Sequence, residues 1–186
     1  SLIDHWLAAP PPDTEARRPV QTLRAGVDAL ADEIERVVPA TSGLDRVRAF
    51  VKIQDGCSAM CSFCIIPFAR GHERSRTFDD ILREADSLVE RGYREIVLTG
   101  VNIGQYAHGD HDFCALLRRL DQVDGLERIR ISSIEPTTVS DELLDLMASS
   151  KTLCPYLHIP LQSGDDRILQ AMNRRHTIKS YIKLIE

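Results

Sequence analysis

The sequence predicts an α/β fold, a parallel sheet with helices on its outside, and two patterns carry that expectation. From residue 46 onward, short apolar runs alternate four times with segments whose apolar residues recur at helical spacing, as β/α units do in open sheets and barrels. One run, Glu95-Ile96-Val97-Leu98-Thr99, is nearly continuous in apolar character, which suits a strand buried on both faces. The chain before residue 46 is of a different kind.

Taken in order, residues 1–26 hold Pro10-Pro11-Pro12 and Pro19 around a lone Trp6, and proline runs favour extended, semi-rigid spacers. Val27, Leu30, Ala31, Ile34, Val37 and Val38 then recur at helical spacing up to Pro39. Residues 1–45 therefore read as an interdomain linker with one amphipathic helix, and Trp6 is expected to pack against a neighbouring element. Phe50-Val51-Lys52-Ile53 is the first strand. Thr77, at capping-box spacing from Asp80, opens a helix whose apolar face is Phe78, Ile81, Leu82, Ala85, Leu88 and Val89, with Gly92 at its end. The buried run at Glu95–Thr99 follows. Phe113, Leu116, Leu117, Leu120 and Val123 form a second helical face, ended by Gly125. Residues 128–133 make a third strand, and Ser140 caps a third helix through Leu143, Leu144 and Met147. Tyr156-Leu157-His158-Ile159 is a fourth strand, after which Ile168, Leu169 and Met172 begin another helix. The start at Ser1 and the uncapped helical pattern at Glu186 read as the ends of a piece of a longer protein.

Composition narrows the class. A chain of 186 residues supports one domain with a small appendage, and 43% hydrophobic with 27% charged residues is ordinary for a globular protein. No stretch reaches the ~18 consecutive apolar residues of a membrane span, and no signal-peptide pattern opens the chain. Five cysteines, an odd number, argue against a secreted disulfide framework and for a reducing compartment, the cytoplasm. A net charge of -5 has the wrong sign for a protein whose whole surface grips nucleic acid. Any RNA contact must then be a local patch or lie in another part of the molecule.

The chemistry concentrates in Cys57-Ser58-Ala59-Met60-Cys61-Ser62-Phe63-Cys64, three thiols spaced C-x3-C-x2-C. Soft thiolates crowded into one loop point to a metal centre. Zinc loops more often use C-x2-C pairs with a second pair or two histidines downstream, and no such half follows. Iron–sulfur clusters are held by thiolates from short runs, usually four. Three close ligands without a fourth predict a [4Fe-4S] cluster with one iron open to a non-protein ligand. A structural zinc or a redox loop is the plainer alternative. Cys114, on a helical face, and Cys154 are expected to pack as small hydrophobes.

The C-x3-C-x2-C run with aromatic Phe63 before its last cysteine resembles the signature of the radical S-adenosylmethionine (SAM) enzymes. Gln54-Asp55-Gly56 before it, the stretch from Cys64 to Gly71, Ser75-Arg76, Leu98-Thr99-Gly100-Val101-Asn102-Ile103-Gly104 and His158-Ile159-Pro160-Leu161-Gln162-Ser163-Gly164 are similar to the methylthiotransferases within that group. Among these, Gln-Asp-Gly and Thr-Gly-Val-Asn-Ile-Gly look most like the enzymes acting on threonylcarbamoyladenosine in tRNA. The resemblance implies a partial (β/α) barrel of the radical SAM type over residues 46–186, about four of six β/α units. It implies that the open iron chelates SAM, and that electron delivery from a flavodoxin- or ferredoxin-type donor cleaves the cofactor to a 5′-deoxyadenosyl radical. A second [4Fe-4S] cluster, on an amino-terminal domain, is implied as well. Such a piece is expected to bind cluster and SAM without completing methylthiolation. The alternatives are isopentenyladenosine in tRNA or an aspartate of a ribosomal protein as substrate, and, outside enzymes, a zinc-stabilised RNA-binding module.

Site expectations follow from loops at the carboxyl ends of the strands, where parallel barrels carry their reactive groups. Cys57, Cys61 and Cys64 are the cluster ligands. By resemblance Phe63 presents backbone to the adenine, Thr99, Gly100 and Asn102 accept the methionine ammonium, and Ser133 and Glu135 contact ribose or methionine. Gln162 and Ser163 face cofactor or substrate. The plainer readings are a strand end for Ser133, a solvated charge for Glu135 before Pro136, and loop capping for Gln162 and Ser163. Arg70, His72, Arg74 and Arg76 form a basic patch beside the cysteines, suited to RNA phosphate or to a solvated face. His158 reads as a core histidine, and Arg174-Arg175-His176 as an exposed loop.

Overall fold

The structure, a computed structural model, describes residues 48–186. The helix expected within residues 1–45, and Trp6, lie outside the described residues. Strand β1 (Arg48–Lys52), β4 (Glu95–Thr99) and β7 (Arg128–Ile131) form a parallel sheet in the order β1-β4-β7, and β5 (Ala107–His108) and β6 (His111–Asp112) pair as a short antiparallel hairpin between the last two in sequence. The central strand β4 is buried along Glu95 to Leu98, as its continuous apolar run predicts. Its neighbours alternate, so that Ala49 and Val51 of β1 and Ile129 and Ile131 of β7 face the core.

The first crossover helix α2 (Phe78–Glu90) and the second, α3 (Phe113–Leu120), bury Ile81, Ala85 and Leu88, and Leu116, Leu117 and Leu120. Helix α2 stops just before Gly92, which lies in the left-handed region at φ 93, whereas α3 ends at Leu120 with Asp121 as its cap, short of the Gly125 expected to end it. The capping box expected at Thr77 does not form, and the Thr77 side chain makes no cap hydrogen bond. Arg76 instead takes the Asp80 carboxylate and also bonds Glu84 and the Lys52 carbonyl. A charged fork outcompetes a weak backbone contact there. Helix α4 (Asp141–Ser149) is capped by the Ser140 hydroxyl, which accepts from the Leu143 amide as expected.

The fourth strand is not formed as a ladder. Leu153 and His158 each make one isolated parallel bridge, to Ile129 and Ser133, which places this segment beside β7. Pro155 and Pro160 bracket it, and proline cannot donate to a ladder. Two more helices follow, α5 (Asp166–Ala171) and α6 (Ile178–Ile185). Among the described residues no helix is long and apolar enough to cross a membrane.

Buried charge pins the end of the sheet opposite the cysteines. Glu95, buried in the central strand, lies in register with Arg48 on one side and Arg128 on the other. It accepts from Arg128 at 2.8 Å and Arg130 at 2.6 Å. Burial opposes its ionisation, but the two guanidinium hydrogen bonds outweigh this and hold the carboxyl below its ordinary range.

Candidate functional site

The cysteine loop is closed at its neck. Strand β2 (Gln54–Asp55) leads into it, the short helix α1 (Ile66–Arg70) lies within it, and β3 (Arg74–Ser75) leaves it antiparallel to β2. At the neck Gly56 has φ 71, and a Cβ there would meet the His72 carbonyl oxygen at 2.0 Å. Only glycine fits. The Cys57 amide donates to Gly71 O at 3.0 Å, the Ala59 amide reaches Cys57 Sγ at 3.4 Å, and the Cys64 amide donates to Cys61 O at 3.0 Å. Asp55 accepts from Lys52 at 2.7 Å, from the Gly56 amide at 2.9 Å and from Arg70 at 3.1 Å, tying the end of α1 to the neck.

All three thiols are half-buried on this one loop. Burial pushes the Cys57 thiol up, the Ala59 amide opposes this, and the nearby Cys61, Glu73 and Cys64 charges push it further. A cation that binds there must displace a proton, as thiolate sites require. Among the described residues no three His, Cys, Asp or Glu side chains are gathered tightly enough for a single metal ion. Three soft donors on one loop suit a cluster, whose thiolates each bind a separate iron. The donor set fits a [4Fe-4S] group with three protein ligands.

The loop after β4 is locked to the neck by Gln54, which is fully buried. Its Oε1 accepts from the Val101 amide at 2.9 Å and the Asn102 amide at 2.8 Å, while Nε2 donates to Asp55 O and Gly56 O. A Cβ on Gly100 would come within 2.9 Å of Gln54 O and 2.7 Å of Ile103 Cγ2. Beside this lock lies a small, open cleft whose lining includes Cys61, Asn102, Glu135, Asn173, Arg174 and His176. Asn102 Oδ1 is buried at its wall without a hydrogen-bond partner. A buried acceptor of this kind calls for a donor from a ligand. Three residues expected at the mouth, Cys61, Asn102 and Glu135, thus come together.

Other expected residues do not line that cleft. Thr99 donates to Val51 O at 3.4 Å, Ser133 pairs with His158 Nδ1 at 2.7 Å, Phe63 is 55% exposed, and Gln162 is exposed with φ 71. Ser163 accepts from the Asp165 amide at 3.2 Å, the loop-capping arrangement. His158 is exposed and hydrogen-bonded to Ser133, not a core residue. The basic patch divides. Arg70 stays half-exposed but is paired with Asp55, and Arg74 donates to Arg70 O at 3.1 Å. Arg76 is 4% exposed and spent on Asp80 and Glu84, so it is a structural residue and not an RNA contact.

The segment after α5 was the one least legible in the sequence. Arg174 and His176 are buried, contrary to the exposed loop expected. Asn173 takes φ 56 after the helix, and the Arg174 amide donates to Leu169 O at 2.9 Å, a Schellman turn that sends the chain back to the mouth. There the Ser62 amide donates to Met172 O at 3.1 Å, Asn173 Nδ2 donates to Met60 O at 2.9 Å, and Arg174 reaches Cys61 Sγ and Glu135. The asparagine just past a short helix was the available signal for this turn.

Residues 51–186 match the radical SAM superfamily, and the chain belongs to it. That superfamily works with a [4Fe-4S] cluster and SAM, which sets the zinc alternatives aside. Within it the place of the chain is the methylthiotransferase family. The sequence is 49% identical over 142 residues to a tRNA-2-methylthio-N(6)-dimethylallyladenosine synthase of Ruegeria sp. (strain TM1040), covering 74% of this chain and 32% of the relative. It is 42% identical over 185 residues to the same type of enzyme in Ruegeria pomeroyi, covering 94% and 41%. A threonylcarbamoyladenosine tRNA methylthiotransferase of Chlamydia pneumoniae is 44% identical over 139 residues, covering 75% and 33%. The chain thus spans about a third of the length of the curated relatives it matches. The solved structure of the radical SAM methyltransferase TsrM from Kitasatospora setae, with cobalamin and a [4Fe-4S] cluster bound, superposes with a TM-score of 0.60 at 18% identity. It covers 73% of this chain and 27% of that one, and the likeness is one of fold.

Proposed function

We propose that this chain is the cluster- and SAM-binding part of a cytoplasmic tRNA methylthiotransferase that acts on threonylcarbamoyladenosine beside the anticodon. The observation that carries the reading is the cleft where a half-buried thiol of the cysteine loop, Cys61, meets the unpartnered Asn102 Oδ1 and the Glu135 carboxylate. When bound, the cluster supplies the electron that cleaves SAM, a route to removing hydrogen from an unreactive carbon.

The residues of the chain do the holding. Cys57, Cys61 and Cys64 grip three irons. Asn102 Oδ1 accepts from the methionine ammonium, and Gly100, whose missing side chain leaves room for Gln54 and Ile103, seats the Asn102 loop against the neck. Glu135 accepts from ribose hydroxyls or the ammonium, and Phe63 lends backbone to the adenine. Thr99 and Ser133 instead fix the ends of their strands, through Val51 O and His158. Arg70 and Arg74 are the cations left beside the mouth for RNA phosphate. A small electron-transfer protein of the flavodoxin or ferredoxin type is the expected reductant.

The threonylcarbamoyl reading is supported by Gln54-Asp55-Gly56 and Thr99–Gly104, the two stretches that most resemble that group. They meet in one hydrogen-bonded unit through Gln54. The relative at 49% identity supports a second reading, dimethylallyladenosine. Mass analysis of tRNA nucleosides from a strain lacking the full-length gene separates them by which methylthio-nucleoside disappears. For the site itself, the chain reconstituted anaerobically with iron and sulfide should carry about four irons and form 5′-deoxyadenosine from SAM on reduction. Stoichiometric zinc without iron would refute the reading.

A further inference from the structure

Arg174 joins the cysteine loop to the far wall of the cleft. Its side chain is 4% exposed. Nη1 lies 3.4 Å from Cys61 Sγ, Nη2 donates to the Glu135 carboxylate, and Nε is buried without a partner. A guanidinium taken this far out of water needs compensating charge. Glu135 supplies it on one edge only. The second edge faces a sulfur that becomes a full anionic acceptor once it ligates iron, and charge-assisted hydrogen bonds are the strong ones.

We propose that Arg174 is a positioning residue of the cluster, donating to the iron-bound Cys61 sulfur and thereby raising the cluster's reduction potential while it holds Glu135 at the cleft wall. The inference rests on the cluster reading above and adds to it the residue that tunes the group. Hydrogen bonds to cluster sulfurs withdraw electron density and favour the reduced state, one of the levers by which proteins set such potentials. The backbone around Arg174 is anchored by contacts that do not use its side chain. The Ser62 amide donates to Met172 O, Asn173 Nδ2 to Met60 O, and the Arg174 amide to Leu169 O. Removing the guanidinium therefore leaves the loop packed against the cysteines.

The test is an anaerobic redox titration, followed by electron paramagnetic resonance, of the full chain reconstituted with ferrous iron and sulfide. Arg174→Met should still assemble the cluster, with its reduction equilibrium weakened tenfold or more, a shift of about 59 mV to more negative potential for a one-electron couple. Arg174→Lys, which keeps the charge, should recover part of that shift. A purely structural role would lower thermal stability and leave the potential where it was, and that result overturns the proposal. An unsubstituted chain that assembles no cluster overturns the site reading itself and this inference with it. Should Arg174→Met fail to fold, pulsed resonance on the unsubstituted chain grown with 15N-arginine decides. Nitrogen coupling to the reduced cluster is expected, and its absence overturns the proposal.

Discussion

Replacing Gln54 by alanine tests the lock between the cysteine loop and the loop after β4. The side chain is fully buried and makes four hydrogen bonds to backbone, two as acceptor from Val101 and Asn102 and two as donor to Asp55 and Gly56. Its loss strands two amides that no other described group reaches. An unsatisfied buried donor costs about 1–3 kcal/mol, so the pair amounts to roughly 2–5 kcal/mol after partial relaxation or water entry. That is a large share of the ~5–15 kcal/mol by which domains are stable. Urea unfolding of the metal-free chain reads the loss directly. Because the freed amides belong to the residues that shape the Asn102 wall, SAM affinity of the reconstituted protein should also fall, by about tenfold for each ~1.4 kcal/mol of binding lost. Gln54→Glu sharpens the argument. The carboxylate keeps both acceptor bonds but sets negative oxygen against the Asp55 and Gly56 carbonyls, so it should not restore the native stability. If Gln54→Ala unfolds within ~0.5 kcal/mol of the parent, the range of a neutral surface change, the lock is not what holds these loops together.

The other predictions are more local. Alanine at Cys57, Cys61 or Cys64 should each abolish reconstituted iron, measured by metal analysis, whereas Cys114→Ala should leave it intact because that thiol is packed on α3. Gly100→Ala forces a Cβ to within 2.7 Å of Ile103 Cγ2 and 2.9 Å of Gln54 O. It should cost ~1–3 kcal/mol of stability, as overpacking does, and weaken SAM binding measured by calorimetry. Glu95 has a lowered carboxyl in the folded chain, so its contribution is fully present above the ordinary glutamate value of about 4.3 and is lost as pH falls through the folded value. The stability gap between the parent and Glu95→Gln should accordingly be widest near neutral pH and narrow on acidification, followed by urea midpoints.

Much of the scaffold was legible because periodicity reports burial. The apolar faces of α2 and α3 and the continuous run of β4 read directly onto the core, and Ser140 capped the helix it was expected to cap. What failed depended on particular partners and neighbours that periodicity does not weigh. The Thr77–Asp80 box has the right spacing, but Arg76 reaches Asp80 first and also spans to Lys52 O across the sheet edge. Tyr156 to Ile159 has strand character, but the flanking prolines leave it with isolated bridges. At the site, the thiols and Asn102 were visible as motif residues. Arg174 was not, because nothing in an Arg-Arg-His run says that a helix ending on Asn173 will fold its first arginine under a cysteine more than a hundred residues earlier.

The same long-range pairing bears on how an acidic chain would meet the proposed RNA substrate. Phosphate affinity needs cations free to release counterions. Around the mouth three arginines are already engaged, Arg70 with Asp55 while still half-exposed, Arg76 with Asp80 and Glu84, and Arg174 with Glu135 and Cys61, whereas Arg74 meets only a backbone carbonyl. The paired three put charge into building the loop, and two of them are buried. A patch that looks basic in sequence is therefore less basic in the fold. That inward pairing suits the chemistry, since Arg70 and Arg174 steady a carboxylate or a thiolate beside the cysteine loop. The site is built by turning positive charge inward, which leaves Arg70 and Arg74 as the rim's cations for the proposed RNA substrate.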